Sequence, residues 1–423
     1  MCHTLRTAEF RAAHRVCEVD FTRKRCLSLD VLVAFLLQMI GGRSVQVGLD
    51  QFLGGLAGGA GLARTVTKSA LSQARKKLKP SALAALGAMW VRQWLACTQE
   101  QRWHGWRVVA ADGSCARVPS WRETQEAYGL GPRRDGSVVM ARLVGLLAVS
   151  SRQMLHVEIG GYDDGERSLL LRCLGVLSCT DLLVLDRGYP AWWLFALFGQ
   201  RGIAFCARLE NCGCAQTEVA AFLRSGQSEQ IIERRLSAKA LGQLKDAGGQ
   251  PQAGLTVRLR LVRVVLPSGR IEVLITSLLD MATCPGGEFG TLYRQRWSIE
   301  EAFKTLKHRL HVEGFTGELP HAIEQDIHAK VLVANITAAL CEVAHEQLDA
   351  AKAANSRVNQ TLAIKHWPAP VVVWLRQGGE ALQQHLHALV LLLMTSLNKY
   401  RPGRSFPRNF GVRKAQPPRR AYQ

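Results

Sequence analysis

The chain has 423 residues, 48% of them apolar, which is enough for two or three domains with cores of their own. Its formal net charge of +20 indicates a polyanionic partner, most often nucleic acid, with a membrane surface as the competitor. No apolar run approaches the roughly 20 residues of a membrane-spanning helix, and the N-terminus lacks the apolar core of a signal peptide. The twelve cysteines have no zinc-ligand spacing, which favours a reduced, cytoplasmic protein without a membrane partner.

The first part of the chain has the pattern of helices. An apolar-periodic stretch at residues 29–40 is followed, after a glycine-rich loop, by a polar helix at residues 67–79. Arg75, Lys76 and Lys77 crowd the end of the second helix, and we predict that they contact the DNA backbone. The alternative is a solvated cationic helix whose charges favour the C-terminal end of the helix dipole.

A run of strands follows, interrupted by helices at residues 166–177 and 190–199. The order of three strands, helix, strand, helix, strand predicts a ribonuclease-H-like α/β core, a mixed sheet with helices on both faces. From about residue 210 the chain has a polar helical stretch, and the period-2 alternation that follows at residues 255–261 predicts a β-rich insertion over about 210–275. The predicted core strands are residues 107–112, 138–149, 153–159, 181–186 and 203–209.

The pattern becomes helical again after the core, so that helical regions flank it on both sides. The residues from 399 to 423 include eight Lys or Arg and no Asp or Glu, which predicts a DNA-contacting arm; a solvated cationic arm is the default alternative. We therefore divide the chain into a helical DNA-binding region at 1–100, a catalytic domain at 101–325 and a helical region with a basic tail at 326–423.

One helical stretch near residue 300 combines acidic, basic and aromatic side chains. At about 100° per residue, Tyr293, Arg296 and Lys307 fall on the same narrow stripe as Glu300, whereas Glu301 lies about 100° away. A carboxylate flanked in this way can hold a metal while its neighbours hold phosphate oxygens. The alternative is an ordinary amphipathic helix with internal ion pairs.

Two further carboxylates stand at the ends of predicted strands. Asp112 and Asp186 end neighbouring strands of the predicted sheet, and the helix of Glu300 packs on that sheet. Three converging carboxylates are costly unless cations neutralise them, and two Mg²⁺ ions would do so. Either Asp alone is more often a helix cap or turn residue, but the combination predicts two-metal phosphoryl transfer.

These motifs resemble the DDE transposases of bacterial insertion sequences, specifically insertion sequence family four. The resemblance is carried by Asp112-Gly-Ser, Asp186-Arg-Gly-Tyr and the spacing Tyr-x2-Arg-x3-Glu-x6-Lys from Tyr293 to Lys307. It implies that Asp112, Asp186 and Glu300 bind two Mg²⁺ ions, for which Mn²⁺ can substitute. It also implies end cleavage, joining to target DNA, a homodimer on double-stranded DNA and a place at the bacterial nucleoid. The DNA contacts predicted with it are Tyr293, Arg296, Lys307 and Arg187.

The sequence departs from the family in one respect. Family members often capture a flipped base with an aromatic residue of the insertion, but between residues 207 and 275 the only aromatic residue is Phe222. Trp297 or Tyr189 is left as the alternative residue for capture of the flipped base. Two other functions stay open, a domesticated nuclease on the same fold and a DNA-binding repressor without catalysis.

Overall fold

The computed structural model describes residues 3–39, 44–58, 65–133, 136–210 and 213–399. The predicted N-terminal helices are confirmed, and most of the basic tail lies outside the described residues. The helices of this region pack around a shared apolar core with later parts of the chain. They are α1 (Ala8–His14), α2 (Leu29–Gln38), α3 (Val45–Ala57), α4 (Lys68–Lys76) and α5 (Ser81–Cys97).

The middle of the chain forms a nine-stranded sheet with seven helices. The strands are β1 (Arg107–Arg117), β2 (Leu130–Arg133), β3 (Gly136–Ala148), β4 (Gln153–Gly161), β5 (Asp181–Leu185), β6 (Ala204–Leu209), β7 (Glu229–Arg235), β8 (Thr256–Val265) and β9 (Ile271–Thr276). The helices are α6 (Arg122–Tyr128), α7 (Glu166–Cys173), α8 (Trp192–Gln200), α9 (Gln216–Ser225), α10 (Ala238–Asp246), α11 (Phe289–Arg294) and α12 (Trp297–Lys304).

The strand order confirms the ribonuclease-H-like core. β4, β3 and β1 form an antiparallel meander, and β5 and β6 follow on the other side of β1, each parallel to its neighbour. Both parallel connections pass through a helix, α7 or α8, as parallel pairing requires. The five core strands therefore run 4-3-1-5-6 across the sheet.

The β-rich insertion continues this sheet. β9 pairs antiparallel with β6 through Cys206 and Thr276, and β8 and β7 extend the sheet to its edge. Strand β7 falls inside a stretch that the sequence pattern predicts as helical. Its residues are half-buried or exposed throughout and lack the alternation that identifies a strand.

Helices cover both faces of the sheet. α7 and α8 pack on one face with a core that includes Leu169 and Phe195. α12 packs on the opposite face against β1 and β3, where Ile299 and Phe303 are buried. This side of the sheet shares its core with the N-terminal helices and with the helices that follow.

A 27-residue helix, α13 (Pro320–Glu346), runs through this shared core. The predicted boundary between residues 325 and 326 falls within α13, so the catalytic and C-terminal regions share one helix. By length and composition α13 could cross a membrane, although the sequence pattern predicts no apolar run of that length. Within the fold, 67% of its most apolar stretch is buried. The remaining elements are α14 (Ala350–Asn355), β10 (Ser356–Val358), α15 (Gln360–His366), α16 (Pro368–Gln377), α17 (Gly379–Met394) and β11 (Leu397–Lys399).

Candidate active site

The register of two parallel strands brings Asp112 and Asp186 side by side. β1 pairs with β5 so that Ala111 lies opposite Leu185, and each Asp is the next residue along its chain. Neighbouring strands are about 4.8 Å apart, and residues in register point to the same face of the sheet. Both carboxylates are half-buried there, and Asp112 Oδ1 accepts a hydrogen bond from the Gly113 amide at 2.9 Å.

The stretch from Tyr293 to Lys307 is not the single regular helix that the stripe predicts. α11 ends at Arg294, a tight turn leads into α12, and a π-helical turn occupies Thr305–Arg309. Tyr293 and Glu300 nevertheless face the same site. The Tyr293 hydroxyl donates to Asp186 Oδ1 at 3.1 Å.

Arg296 lies between two of the three carboxylates. Its Nη2 donates to Glu300 Oε1 at 2.6 Å, and its Nη1 lies 3.4 Å from Asp112 Oδ2. The guanidinium is 5% exposed and stacks against the rings of Tyr293 and Trp297. Its Nε is buried without a partner among the described residues. A planar fork of donors suits this bridging position, which a lysine ammonium could not fill in the same way.

The three carboxylates form one electrostatic cluster. Burial raises the pKa of Asp112 to about 6, and the charges of Glu300 and Asp186 add to the rise, although Arg296 opposes it. Burial, followed by the charge of Asp186, also raises the pKa of Tyr293. Burial would lower the pKa of the Arg296 guanidinium, but the surrounding acidic groups outweigh burial and leave it raised. Tyr293 is therefore a neutral donor and Arg296 a permanent cation.

The donor set fits hard divalent cations, but the conformation does not yet present it as a complete metal site. Carboxylate oxygens are the ligands that Mg²⁺ and Mn²⁺ prefer. Across the described ranges, no three Asp, Glu, His or Cys side chains converge closely enough to hold an ion. Arg296 supplies the positive charge between Asp112 and Glu300 instead. A metal ion that binds both carboxylates therefore competes with Arg296 for their negative charge.

The neighbouring Glu301 points away from this cluster. Its side chain is 67% exposed and pairs with Lys304 at 2.6 Å. Lys307 is half-buried within the π-helical turn and forms no ion pair with a described residue. Because that turn changes the residue spacing, its stripe position relative to Glu300 does not follow from α-helical geometry. π-helical turns occur frequently at functional sites.

Glu166 is a fourth carboxylate beside the site that the sequence motifs did not reveal. It begins α7 and accepts a hydrogen bond from Arg142 at 3.3 Å. A Cβ atom at position 113 would lie 2.5 Å from the Glu166 carboxyl group, so any other residue there would force the Glu166 side chain to move. Glu166 lies 54 positions beyond Asp112 (166 − 112) in a separate element, so the sequence does not link the two carboxylates. The glycine that follows Asp112 is the only sequence signal for the close approach.

The prediction that Arg75 contacts DNA is wrong for the described fold. Its side chain is 2% exposed and donates to Gln325, Thr316, the Ala322 carbonyl and Asp326, the last at 2.8 Å. Arg75 instead fixes α4 against α13. A basic residue that uses its donors inside the protein is not available to a phosphate.

The other predicted basic contacts lie at the surface. Lys76 is exposed, and Lys77 is half-buried with its Nζ 3.9 Å from Asp20. Arg187 is 55% exposed and pairs with Glu210 at 2.5 Å. Binding of Arg187 to a phosphate would have to compete with that ion pair.

The aromatic residues differ in their access to DNA. Phe222 is fully buried in the insertion, and Tyr189 is 1% exposed, so neither is placed to receive an extruded base. Trp297 is 42% exposed beside Arg296. Of the aromatic residues considered from the sequence, only Trp297 presents a surface next to the acidic cluster.

Comparison with known families agrees with this geometry. The family model described as "Transposase DDE domain" matches residues 103–336, more than half of the chain and the whole of the acidic site. The chain therefore belongs to the transposase DDE-domain family. This confirms the resemblance to the DDE transposases that the sequence motifs indicate.

A curated relative narrows the comparison to insertion sequences. The chain is similar to "Transposase InsG for insertion sequence element IS4" of Escherichia coli (strain K12), with 25% identity over 278 residues. The match covers 64% of this chain and spans about 60% of the length of the relative. A solved piggyBac transposase synaptic complex with hairpin DNA aligns with 96% of this chain and 86% of that chain, at a TM-score of 0.49 and 10% identity.

Proposed function

We propose that the protein is a DNA transposase that binds the ends of an insertion sequence, cleaves them and joins them to target DNA. The observation that carries the proposal is the cluster of Asp112, Asp186 and Glu300 around Arg296 in a ribonuclease-H-like sheet. Membership of the transposase DDE-domain family supports it. The positive net charge of +20 supports a nucleic-acid substrate.

In this proposal Asp112, Asp186 and Glu300 hold two Mg²⁺ ions, or Mn²⁺ in their place. The bound ions would activate a water or a 3′-hydroxyl and stabilise the leaving oxygen. Tyr293 keeps Asp186 oriented through its hydroxyl, and Arg296 is placed to transfer its donors from a carboxylate to a phosphate. Lys307, Lys76, Lys77 and Arg187 are proposed as further phosphate contacts.

The proposal includes a homodimer assembled on two transposon ends, in the bacterial cytoplasm at the nucleoid. Synapsis of two ends requires two active sites on one complex, and each chain supplies one acidic cluster. Mass photometry with and without a DNA end would measure whether the dimer forms only on DNA.

The test uses duplexes that carry the inverted repeats flanking the gene, incubated with Mg²⁺ and a target plasmid. Asp112→Ala, Asp186→Ala and Glu300→Ala should each reduce nicking and joining by about 10³-fold or more while leaving end binding within about threefold. Glu301→Ala is the matched control, because the adjacent carboxylate is exposed and paired with Lys304.

Three outcomes would contradict the proposal. Equal losses for Glu300→Ala and Glu301→Ala would show that the cluster is not the chemical centre. Cleavage without joining would favour a nuclease on the same fold. Sequence-specific binding by the wild-type protein without any cleavage would favour a repressor.

A further inference from the structure

We propose that the exposed face of α4, together with the basic loop of residues 21–26, reads the sequence of double-stranded DNA. This inference deepens the proposed function and rests on it, because it names the surface that distinguishes transposon ends from other DNA. The sequence pattern predicts only contacts with the DNA backbone at the end of α4, whereas here base contacts and phosphate contacts are assigned to different side chains.

The two sides of α4 differ sharply. Leu71, Arg75 and the following Leu78 form the buried side. Ser69, Ser72, Gln73 and Lys76 are exposed, and at about 100° per residue they lie within an arc of roughly 100° on one side of the helix. None of these four side chains makes a hydrogen bond or ion pair within the part of the chain that the structure describes. They are therefore available to a ligand.

The buried side holds α4 rigidly. Arg75 donates to four groups on and before α13, and Gln325 Nε2 in return donates to the Arg75 carbonyl at 3.0 Å. At the other end, Thr67 caps the helix, and Gln46 of α3 accepts from the Lys68 amide at 2.8 Å. A recognition helix must hold its side chains in fixed register with the bases, and this anchoring supplies that rigidity.

A basic loop lies along one border of the exposed face. Backbone hydrogen bonds join Val16 to Lys77 at 2.9 Å and Lys79 to His14 at 2.9 Å, which docks the preceding chain against the end of α4. The loop and α4 enclose a groove of about 360 Å³. Its lining includes Arg23, Arg25, Gln73 and Lys77.

The charge of this surface identifies duplex DNA as its ligand. Arg23, Lys24 and Arg25 are exposed, and none pairs with an acidic residue in the ranges described. Lys76 at the end of α4 and Lys77 directly after it add positive charge, and Asp20 is the acidic residue that lines the groove. A helix with polar tips fits the major groove, about 12 Å wide, while flanking cations engage the phosphates.

The chemistry of the side chains separates two roles. Gln73 can form a paired hydrogen bond with the edge of adenine, and Ser72 and Ser69 can accept or donate to any base. Arg23, Arg25 and Lys76 carry full charges and act on phosphates without sequence preference. Gln73 lies at the border between the exposed face and the groove, where both roles meet.

The experiment measures the affinity of the full-length protein for two duplexes of equal length. One carries the inverted repeat that flanks the gene, and the other carries the same bases shuffled. Gln73→Ala combined with Ser72→Ala should lower the ratio of the two affinities about tenfold or more, with binding of the shuffled duplex unchanged. Arg23→Ala and Arg25→Ala should weaken both duplexes equally and reduce the salt slope by about 1 each.

Gln243→Ala is the matched control, since Gln243 is an exposed glutamine on α10 in the insertion, outside this surface. All variants should fold, because the substituted side chains are exposed, and thermal melts of each variant check this. A wild-type preference for the repeat that survives in the Ser72 and Gln73 double variant would overturn the inference and leave the proposed function standing. No preference in the wild-type protein would overturn both. Loss of self-association without loss of sequence preference would also overturn it, because α4 would then be a protein contact.

Discussion

Arg296→Ala tests whether the guanidinium stands in for metal ions in the free protein. Arg296 is buried between Glu300 and Asp112, where it neutralises two of the three carboxylates. Any ion that binds both carboxylates must compete with it for their negative charge. Removing the side chain should therefore strengthen the binding of Mn²⁺ to the protein alone, although the same change should weaken cleavage of DNA.

The structure sets the size of the effect. The bond to Glu300 is short, at 2.6 Å, and bonds to charged groups contribute about 1.5–3 kcal/mol. The contact with Asp112, at 3.4 Å, is at the limit of a hydrogen bond and adds less. Loss of the competing bond should lower the Kd for Mn²⁺ by roughly 10- to 100-fold. Arg296→Lys should fall between the wild type and the alanine variant, because an ammonium provides charge without the planar fork.

Isothermal titration calorimetry without DNA measures the metal affinity directly. Thermal melting gives a second readout, because Arg296→Ala leaves Asp112 and Glu300 without their counter-charge, and Mn²⁺ should raise its melting temperature more than that of the wild type. Arg294→Ala is the control: this neighbour is exposed and bonds to Thr291 at 2.8 Å. Mn²⁺ affinity equal to or below that of the wild type in Arg296→Ala would refute the competition between the guanidinium and the ions.

Two further predictions concern stability. Arg75→Met should lower the free energy of unfolding in urea by about 3–5 kcal/mol, because it leaves the buried Asp326 without its charge partner. Lys76→Ala changes the exposed neighbour and should lower the free energy of unfolding by less than about 0.5 kcal/mol. Equal losses of stability in the two variants would argue against the buried network. Burial, followed by the charge of Glu346, raises the pKa of Glu342 from 4.5 to about 7, with Arg152 opposing. The folded state therefore binds this proton more tightly, and stability should fall as the pH rises through that range. Glu342→Gln should be more stable than the wild type above pH 7 by about 1 kcal/mol, allowing for partial exposure, and a difference that stays constant with pH would contradict this.

The core strands and the acidic positions were predictable because they depend on local patterns. Short apolar runs that lead into Asp112 and Asp186 predict strands, although β1 does not end at Asp112 but continues to Arg117. The helix break before α12 was not predictable, since no proline or glycine marks it. Strand β7 was missed because its residues are half-buried or exposed and show no apolar alternation, whereas its place in the sheet comes from pairing with β8.

The error on Arg75 has a different origin. Leu71, Arg75 and Leu78 recur at the spacing of one helix face, so the helical phase placed Arg75 with the buried leucines. The cluster of basic residues favoured a surface position and a DNA contact for Arg75. Composition, however, does not show which way a side chain points. The polar partners that make burial possible, Gln325 and Asp326, lie 250 and 251 residues away in the sequence and could not be paired with Arg75 from one sequence.

The buried polar residues of α13 explain how this long helix serves the catalytic core. Gln325 and Asp326 bind Arg75 of α4, and Lys330 donates to the carbonyls of His311 and Gly314, in the segment that follows the helix of Glu300. Asn335 exchanges two hydrogen bonds with the backbone of Met154 in β4. Each bond reaches a different part of the fold, and buried polar groups tolerate few alternative arrangements. α13 thereby holds the helix proposed to read DNA, the end of the catalytic helical segment and the central sheet in one fixed geometry. Phosphoryl transfer depends on alignment to within about 1 Å, so under the proposed function these hydrogen bonds would fix where a bound DNA end meets the carboxylates.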